Sequence, residues 1–156
     1  MIDFKGIFFL SNLHIYLSNK IENSGKMKKK ISSGAKWEDI VGYSRVIRID
    51  NRVIVGGTTA IDDESNVIGK NDAYIQTKYI FQKIEKYLNE AGAKLDDVVS
   101  NRIYVTDITG WEDIGRAHAE FFGKIKPCCS MIEVKGFINP EMLVEIETEA
   151  IITDEN

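Results

Sequence analysis

Cysteine, proline and histidine are scarce in this sequence, and each scarcity excludes a class of protein. Its two cysteines, Cys128 and Cys129, are neighbours and cannot build a disulfide framework, so we expect a protein of the reducing cytoplasm. Two prolines and twelve glycines among 156 residues exclude collagen-like and low-complexity chains. Two histidines without a cysteine cluster leave no zinc-ligand spacing, and we therefore expect no metal site.

The chain also lacks an excess of positive charge and a long uninterrupted apolar run. Its 20 basic and 24 acidic residues give a net charge of −4, which argues against non-specific nucleic-acid binding. Residues 2–17 are largely apolar, but polar residues such as Asp3 and His14 interrupt them, and a membrane-spanning helix needs about 20 mostly apolar residues. The acidic Asp3 and the missing small-residue cleavage site are also atypical of a signal peptide. We therefore expect residues 1–27 to form an extension and the protein not to associate with membranes.

The residues that are present are typical of one globular domain. A length of 156 residues, with 44% hydrophobic and 28% charged side chains, fits one domain of about 150 residues with a buried core. Residues 22–33 are polar and include the basic run Lys28–Lys30, which predicts a linker or a solvated start. No repeat or change of composition follows, so we expect the folded part to extend from Gly34 to Thr153.

β-Branched and alternating segments predict five strands, over residues 45–50, 52–58, 98–106, 131–137 and 143–152. The turn pair Asp50-Asn51 predicts a hairpin between the first two. Two amphipathic segments predict helices. Asp72 is expected to cap the first helix, which ends before Gly92. The second is expected to start at a capping box in Thr109–Glu112 and to end at Gly123. The order ββ-α-β-α-ββ predicts an α+β fold, with both helices on one face of a mixed sheet.

Alternating side chains give the predicted sheet a second face of mixed character. In the last strand Glu145, Glu147 and Glu149 oppose an apolar row that must lie under the helices. The second faces of the other strands include Arg102, Tyr104, Lys135 and Met131. Such a face is too charged for a core and too apolar for solvent, which favours an oligomer interface with polar pockets. The alternative, an ordinary half-exposed antiparallel sheet, stays open.

Five segments, taken together and in this order, resemble one protein family. They are IVGYSRVIRIDNRVIVGGTTA, TKYIFQKIEKYLNEAGAKLDDVVSNRIYVTDI, WEDIGRAHAEFF, PCCSMIEV and MLVEIETEA. This pattern is similar to the RidA/YjgF family, whose members are also described as endoribonuclease L-PSP or translation initiation inhibitor proteins. The resemblance extends from Lys28 to Ile152 and implies a single chorismate-mutase-like α+β domain over residues 28–156. It also implies a homotrimer, with a central barrel and three clefts between subunits.

The resemblance further implies a chemistry and a set of site residues. Family members hydrolyse reactive 2-imino or 2-enamino acids to 2-keto acids and ammonia, without a cofactor. Glu145 matches the catalytic glutamate that positions water or the imine nitrogen, and Tyr43 and Gly57 match residues that shape the cleft. An arginine usually stands two residues after Pro127 and grips the substrate carboxylate, but here that residue is Cys129.

This departure leaves several roles open. Arg102, or as a second choice Arg45, is a candidate to replace the missing arginine, although Arg102 is also expected as an ion-pair partner for Glu145 or Glu147. Cys129 is either a small filler or a nucleophile, because a reactive thiol needs a neighbouring cation that a sequence does not reveal. His118 is either a packing residue of the second helix or a proton shuttle.

Three functions follow from this pattern. The first is hydrolysis of small imines, enamines or related compounds by an enzyme with an altered substrate anchor. The second is non-catalytic binding of a small metabolite in the same clefts. The third, endoribonuclease or translation-inhibitor activity, is favoured least, because no aromatic residues interleave with basic ones to form a stacking platform. The expected partners are a small-molecule ligand and further copies of the chain, and not nucleic acid.

Overall fold

The computed structural model describes residues 27–153, and its elements are six strands and three helices. The strands are β1 (Lys28–Ile31), β2 (Val46–Ile49), β3 (Arg52–Thr59), β4 (Val98–Val105), β5 (Cys128–Glu133) and β6 (Val144–Ile151). The helices are α1 (Lys36–Val41), α2 (Ala73–Ala91) and α3 (Trp111–Phe122), and single 3-10 turns precede β4 and α3. Within residues 27–153, none of the helices combines the length and the apolar character needed to cross a membrane.

The six strands form one mixed sheet in the order β1-β2-β3-β6-β4-β5. Neighbouring strands are antiparallel except β4 and β5, which are parallel. The predicted hairpin is confirmed: β2 and β3 pair directly, and Asp50 in the turn adopts a left-handed φ of 53°. The α+β fold with a mixed sheet is therefore the fold that the sequence predicted.

The core lies between one face of the sheet and the two long helices. Apolar residues at alternate positions of β3, β4 and β6 are fully buried there, as the period of two predicts. Helix α2 contributes the stripe Ile80, Phe81, Ile84 and Leu88, and α3 contributes Ile114 and Phe122. The rings of Phe81 and Phe122 meet edge to face with centroids 5.1 Å apart, so the two helices share one core.

The ends of α2 are as predicted, but the start of α3 is not. The Asp72 side chain accepts a hydrogen bond from the Ile75 N–H at 2.9 Å, and Gly92 ends α2 with a φ of 79°. The expected capping box at Thr109 is wrong, because no side chain caps α3. Instead the Asp107 carboxylate accepts from the Thr109 N–H at 2.8 Å and caps the 3-10 turn before the helix.

Strand β1 precedes the part that was expected to fold, whereas helix α1 lies within it. Lys28 of β1 pairs with Ile49 of β2, and the Lys29 Nζ donates to the Glu90 carbonyl at 2.8 Å. The expectation that the folded part begins near Gly34 is therefore wrong. The basic run belongs to an edge strand, and lysines are common on sheet edges because they oppose edge-to-edge association. The predicted extension at residues 1–26 lies outside the described residues.

Strand β5 begins three residues earlier than expected and ends at Glu133, so the predicted strand over residues 131–137 is misplaced. Met131 is directly opposite Ile103 of the parallel strand β4, and Ile103 is fully buried. Directly opposed residues project to the same face, so Met131 packs against the core. The placement of Met131 on the second face is therefore wrong. Ser130 and Ile132 take that face instead, beside Arg102 and Tyr104.

Candidate functional site

Glu145 differs from the other two carboxylates of its row on β6. Glu149 forms an ion pair with Arg52 at 2.6 Å, and Glu147 lies 3.7 Å from Arg102. Within residues 27–153, no hydrogen bond or ion pair reaches the Glu145 carboxylate. Burial and the negative charge of Glu147 raise its pKa, and the positive charge of Arg45 offsets this only in part. Glu145 is therefore a half-buried acid whose protonated form is favoured more than in a free glutamate.

Gly57 makes room for this acid. The register of β3 against β6 shifts between Val55 and Thr58, and this bulge contains Gly57. A β-carbon at position 57 would lie 2.9 Å from Cδ of Glu145 and still closer to its Oε1. Glycine is therefore the residue that lets the Glu145 carboxylate lie against the β3 backbone.

Arg45 joins Gly57 to Tyr43. Its Nη1 donates a hydrogen bond to the Gly57 carbonyl, and its Nη2 donates to the Tyr43 hydroxyl at 3.2 Å. The guanidinium carbon also lies 5.4 Å from the centre of the Tyr43 ring. Arg45, which the sequence pattern offered only as a second-choice anchor, thus connects Tyr43 to Gly57, and Glu145 lies against Gly57.

A buried glutamate holds Arg45 in place. Glu38 of α1 is 5% exposed, accepts from the Ser33 N–H at 2.9 Å and the Ser33 hydroxyl at 2.5 Å, and lies 3.9 Å from the Arg45 Nε. Burial acts to raise the pKa of Glu38, but hydrogen bonds from Ser32 and Ser33 and the charge of Arg45 outweigh it and leave that pKa below its usual range. No sequence pattern pointed to Glu38, because acids on short helices are normally solvated.

Helix α1 buries an acidic side chain and exposes its apolar side chains, the reverse of an ordinary amphipathic helix. Its buried side chain is the carboxylate of Glu38, whereas Trp37, Ile40 and Val41 are 53%, 68% and 70% exposed. Their spacing of three and four residues places them on one side of the helix. Tyr43 follows two residues after α1 and is also exposed, so an apolar surface adjoins the Arg45 group.

A second cation, Lys83 of α2, is half-buried beside Thr59 at the C-terminal end of β3. Its Nζ donates to the carbonyls of Thr59 at 3.2 Å and Ile61 at 2.5 Å. Burial, and then the positive charge of Arg45, lower its pKa from 10.5 to about 8. Lys83 was not identified from the sequence, since its position on α2 matches neither a motif nor the apolar stripe.

Arg102 lies on the same sheet face as Glu145 but contacts a different acid. The register places it opposite Glu147, and of its two expected partners Glu147 is the one it pairs with. The Tyr104 hydroxyl donates to the same carboxylate at 3.1 Å. Arg102 is 60% exposed, so it lies at the open surface of this face.

Cys129 lies on the opposite face of the sheet from Glu145. It is directly opposite Asn101 of β4, whose side chain projects toward the helices, and β5 is an edge strand of the sheet. Burial raises the pKa of the Cys129 thiol. A raised pKa disfavours the thiolate that a nucleophile requires, and this supports the filler interpretation.

His118 is packed into the core beside Asn101. Its Nε2 lies 3.2 Å from the Asn101 Nδ2, and the Thr148 hydroxyl donates to the Asn101 Oδ1 at 2.7 Å. The imidazole also contacts the rings of Phe81 and Phe122. Burial lowers the pKa of His118, so the ring is neutral at pH 7. This supports the packing interpretation over the proton shuttle. In the described part of the chain, no three His, Cys, Asp or Glu residues are grouped so as to hold a metal ion.

Comparison with known proteins identifies the family of this chain. The family model described as Endoribonuclease L-PSP matches residues 34–152. A RutC family protein of Pyrococcus abyssi, PYRAB12510, is 35% identical over 125 residues, which cover 80% of this chain and 98% of that protein. The uncharacterized protein SCO2049 of Streptomyces coelicolor is 34% identical over 122 residues, covering 78% of this chain and 90% of that protein.

A solved structure extends this agreement to the fold. Rv2704 of Mycobacterium tuberculosis, described as a member of the YjgF/YER057c/UK114 family, is 46% identical to this chain and superposes with a TM-score of 0.73. The match covers 81% of this chain and all of Rv2704. With its bulged β3, its parallel β4–β5 pair and its match over residues 34–152, this chain belongs to the endoribonuclease L-PSP family, which also includes the YjgF and RutC proteins.

Proposed function

We propose that this protein hydrolyses small imines or enamines and uses Glu145 as its acid–base group. The observation that carries the proposal is the Glu145 carboxylate itself. It is half-buried against Gly57, it lacks an ion-pair partner among the described residues, and its pKa is raised. Acid–base catalysis is most efficient when the pKa of the catalytic group is near the working pH.

The proposed reaction needs one water molecule and no cofactor. Glu145 takes a proton from water as the oxygen forms a bond to the carbon of the protonated C=N group. Glu145 passes this proton to the nitrogen and then takes the proton of the new hydroxyl group as the C–N bond breaks, so that ammonia leaves and a carbonyl compound remains. Tyr43 and Gly57 shape the cleft in this proposal, and Arg45 is a positioning residue that fixes both of them.

The proposal includes a cytoplasmic homotrimer, and the clefts of this trimer lie between its subunits. Support for the assembly comes from the second sheet face, where Ile47, Ile54 and Ile132 lie among the charged rows. Ile54 and Ile132 are 38% and 44% exposed in the single chain. Within one chain Cys129 and Glu145 are on opposite faces, so a cleft containing both needs residues of two copies.

One observation favours a second candidate function, the binding of a metabolite without turnover. Cys129 replaces the arginine that would orient a substrate carboxylate. Among the described residues, no lysine or arginine side chain forms an ion pair with Glu145. A cleft without that anchor still binds a ligand, but it orients the reacting carbon less well. The two functions differ in whether Glu145 changes a rate or only an affinity.

The test is hydrolysis of a panel of imines made in situ by amino-acid and amine oxidases, with semicarbazide to trap the remaining imine. The wild type is expected to accelerate loss of at least one imine, and Glu145→Gln to remove about a hundredfold or more of that acceleration. Glu149→Gln is the matched control, since Glu149 belongs to the same row but pairs with Arg52. Equal rates with and without the wild-type protein across the panel would contradict the hydrolase and favour the binding protein.

A further inference from the structure

Three cationic side chains are near Glu145 or share its sheet face, namely Arg45, Lys83 and Arg102, and each of them already has partners. Arg45 donates to Gly57 and Tyr43 and faces Glu38 with its Nε. Its side chain is 13% exposed, so little of the guanidinium is open to a ligand. The negative group that a ligand carboxylate would need to displace, Glu38, is itself buried and hydrogen-bonded to Ser33. Arg45 is therefore poorly placed to bind an anionic ligand.

Lys83 and Arg102 also have partners within the chain. The Nζ of Lys83 donates to the carbonyls of Thr59 and Ile61, and its lowered pKa shows that burial disfavours its charge. Arg102 pairs with Glu147, whose second neighbour along β6 is Glu145. Within the described part of one subunit, a ligand carboxylate near Glu145 finds no unpartnered cation.

The surroundings of the Glu145 carboxylate favour a ligand nitrogen that carries positive charge or hydrogen-bond donors. Glu145 and Glu147 project from one face of β6, separated by about 7 Å, the repeat of alternate residues in a strand. The Glu145 carboxylate accepts no hydrogen bond from residues 27–153 and is thus open to a donor from a ligand. An ammonium or iminium group gains from both acids, whereas a carboxylate is repelled by both.

An exposed apolar surface is linked to the region of these two acids through Arg45. Helix α1 carries Trp37, Ile40 and Val41 on its exposed side and is tied to Arg45 through Glu38. Tyr43 connects that surface to the Arg45–Gly57 group. A ligand with an apolar body beside its nitrogen matches this combination of an acid and an apolar wall.

We infer that the ligand of this site is an amine-derived imine, or the corresponding amine, with an apolar body and no carboxylate. The juxtaposition that carries the inference is a Glu145 without a partner in residues 27–153, beside Glu147. The cations Arg45, Lys83 and Arg102 are already paired, and the apolar α1 adjoins Tyr43. The inference rests on the proposed function for the identity of the site, but it concerns which molecules enter that site.

The test uses two ligand pairs that differ only in a carboxylate. For turnover, a flavin amine oxidase makes the imine of 2-phenylethylamine, and an amino-acid oxidase makes the imine of phenylalanine. For binding, calorimetry measures 2-phenylethylamine and phenylalanine themselves with the full chain. We expect the compound without a carboxylate to be favoured about tenfold or more in each pair. Glu145→Gln is expected to remove this preference, and Glu149→Gln, the matched control, to retain it.

Each outcome has one meaning. Equal or better binding and turnover of the carboxylated compounds would overturn the inference while leaving the hydrolase in place. Preferential binding of 2-phenylethylamine without acceleration of either imine would overturn the hydrolase but support the ligand class. Absence of both binding and turnover for either pair would overturn the inference and the hydrolase together.

Discussion

The carboxylate of Glu145 occupies the space that a β-carbon on residue 57 would need, so this position of the acid requires glycine at residue 57. The contact joins β6 to the bulge in β3 and lies across the sheet from the helices. It explains why the chain has glycine at a position where an alternating strand would otherwise carry a side chain. It also makes the position of the acid sensitive to a single methyl group.

Gly57→Ala is therefore expected to displace Glu145 and to lower the rate of imine hydrolysis about tenfold or more. Gly56→Ala is the matched control, because a β-carbon there would be 3.6 Å from the Arg45 carbonyl, an ordinary contact distance. Steady-state rates and thermal midpoints of the two variants check this. Equal activity in both would show that Glu145 does not need its present position.

Replacing Cys129 tests the missing anchor. The wild type is expected to hydrolyse 2-iminopropanoate weakly or not at all, and Cys129→Arg to raise that rate because a guanidinium fork orients the substrate carboxylate. Adding Glu145→Gln to this variant should abolish the gain. Robust wild-type turnover of 2-iminopropanoate would refute the importance of the arginine. An unchanged rate in an intact Cys129→Arg assembly would instead favour the metabolite-binding function.

The oligomeric state follows from the second sheet face. We expect a homotrimer, since isoleucines alternate with the paired charges on that face and a lone chain exposes them. Light scattering coupled to gel filtration should give three times the 17.7 kDa mass of the chain. A mass of one chain at micromolar concentration would remove the proposed cleft between subunits.

Residues 1–26 are expected to be dispensable for folding. A chain that starts at Met27 keeps all six strands, and the Met27 N–H already donates to the Asp50 carboxylate at 3.0 Å. Its thermal midpoint should stay within a few degrees of the full chain. Loss of solubility or of the trimer would show that the apolar residues 7–17 belong to the core.

His118 should make stability depend on pH. Its folded-state pKa lies below the ordinary 6.5, so between these two values the unfolded chain binds more protons than the folded one. Its contribution to stability is therefore lost as the pH falls below 6.5 toward the lower folded-state pKa. Thermal midpoints over this range should fall more steeply for the wild type than for His118→Gln. Parallel curves for the two proteins would contradict a buried neutral imidazole.

Features with a local cause were predictable from the sequence. Asp72 and Gly92 bound α2 because a cap and a left-handed glycine act within one turn of the helix. The hairpin at Asp50 has the same local origin. The positions of Tyr43, Gly57 and Glu145 came from a family pattern, and their roles stay predictions.

Features with a distant cause were not predictable. The face of Met131 depends on where β5 begins and on its register with β4, and a shift of one residue in the pairing exchanges the two faces. The strand over Lys28–Ile31 exists because β2 supplies its hydrogen-bond partners, although its composition resembles a solvated segment.

The sequence by itself determined the α+β class, the long helix and the alternating acidic row of β6, because periodicity and caps are properties of neighbouring residues. Only the tertiary structure decided which acid of that row has no ion-pair partner among residues 27–153. Glu147 and Glu149 find Arg102 and Arg52 on the adjacent strands, whereas Glu145 lies against the bulge at Gly57. Arg45, the cation nearby, already contacts Glu38 and Tyr43. Which acid Arg45 pairs with depends on contacts between elements that are separate in the chain.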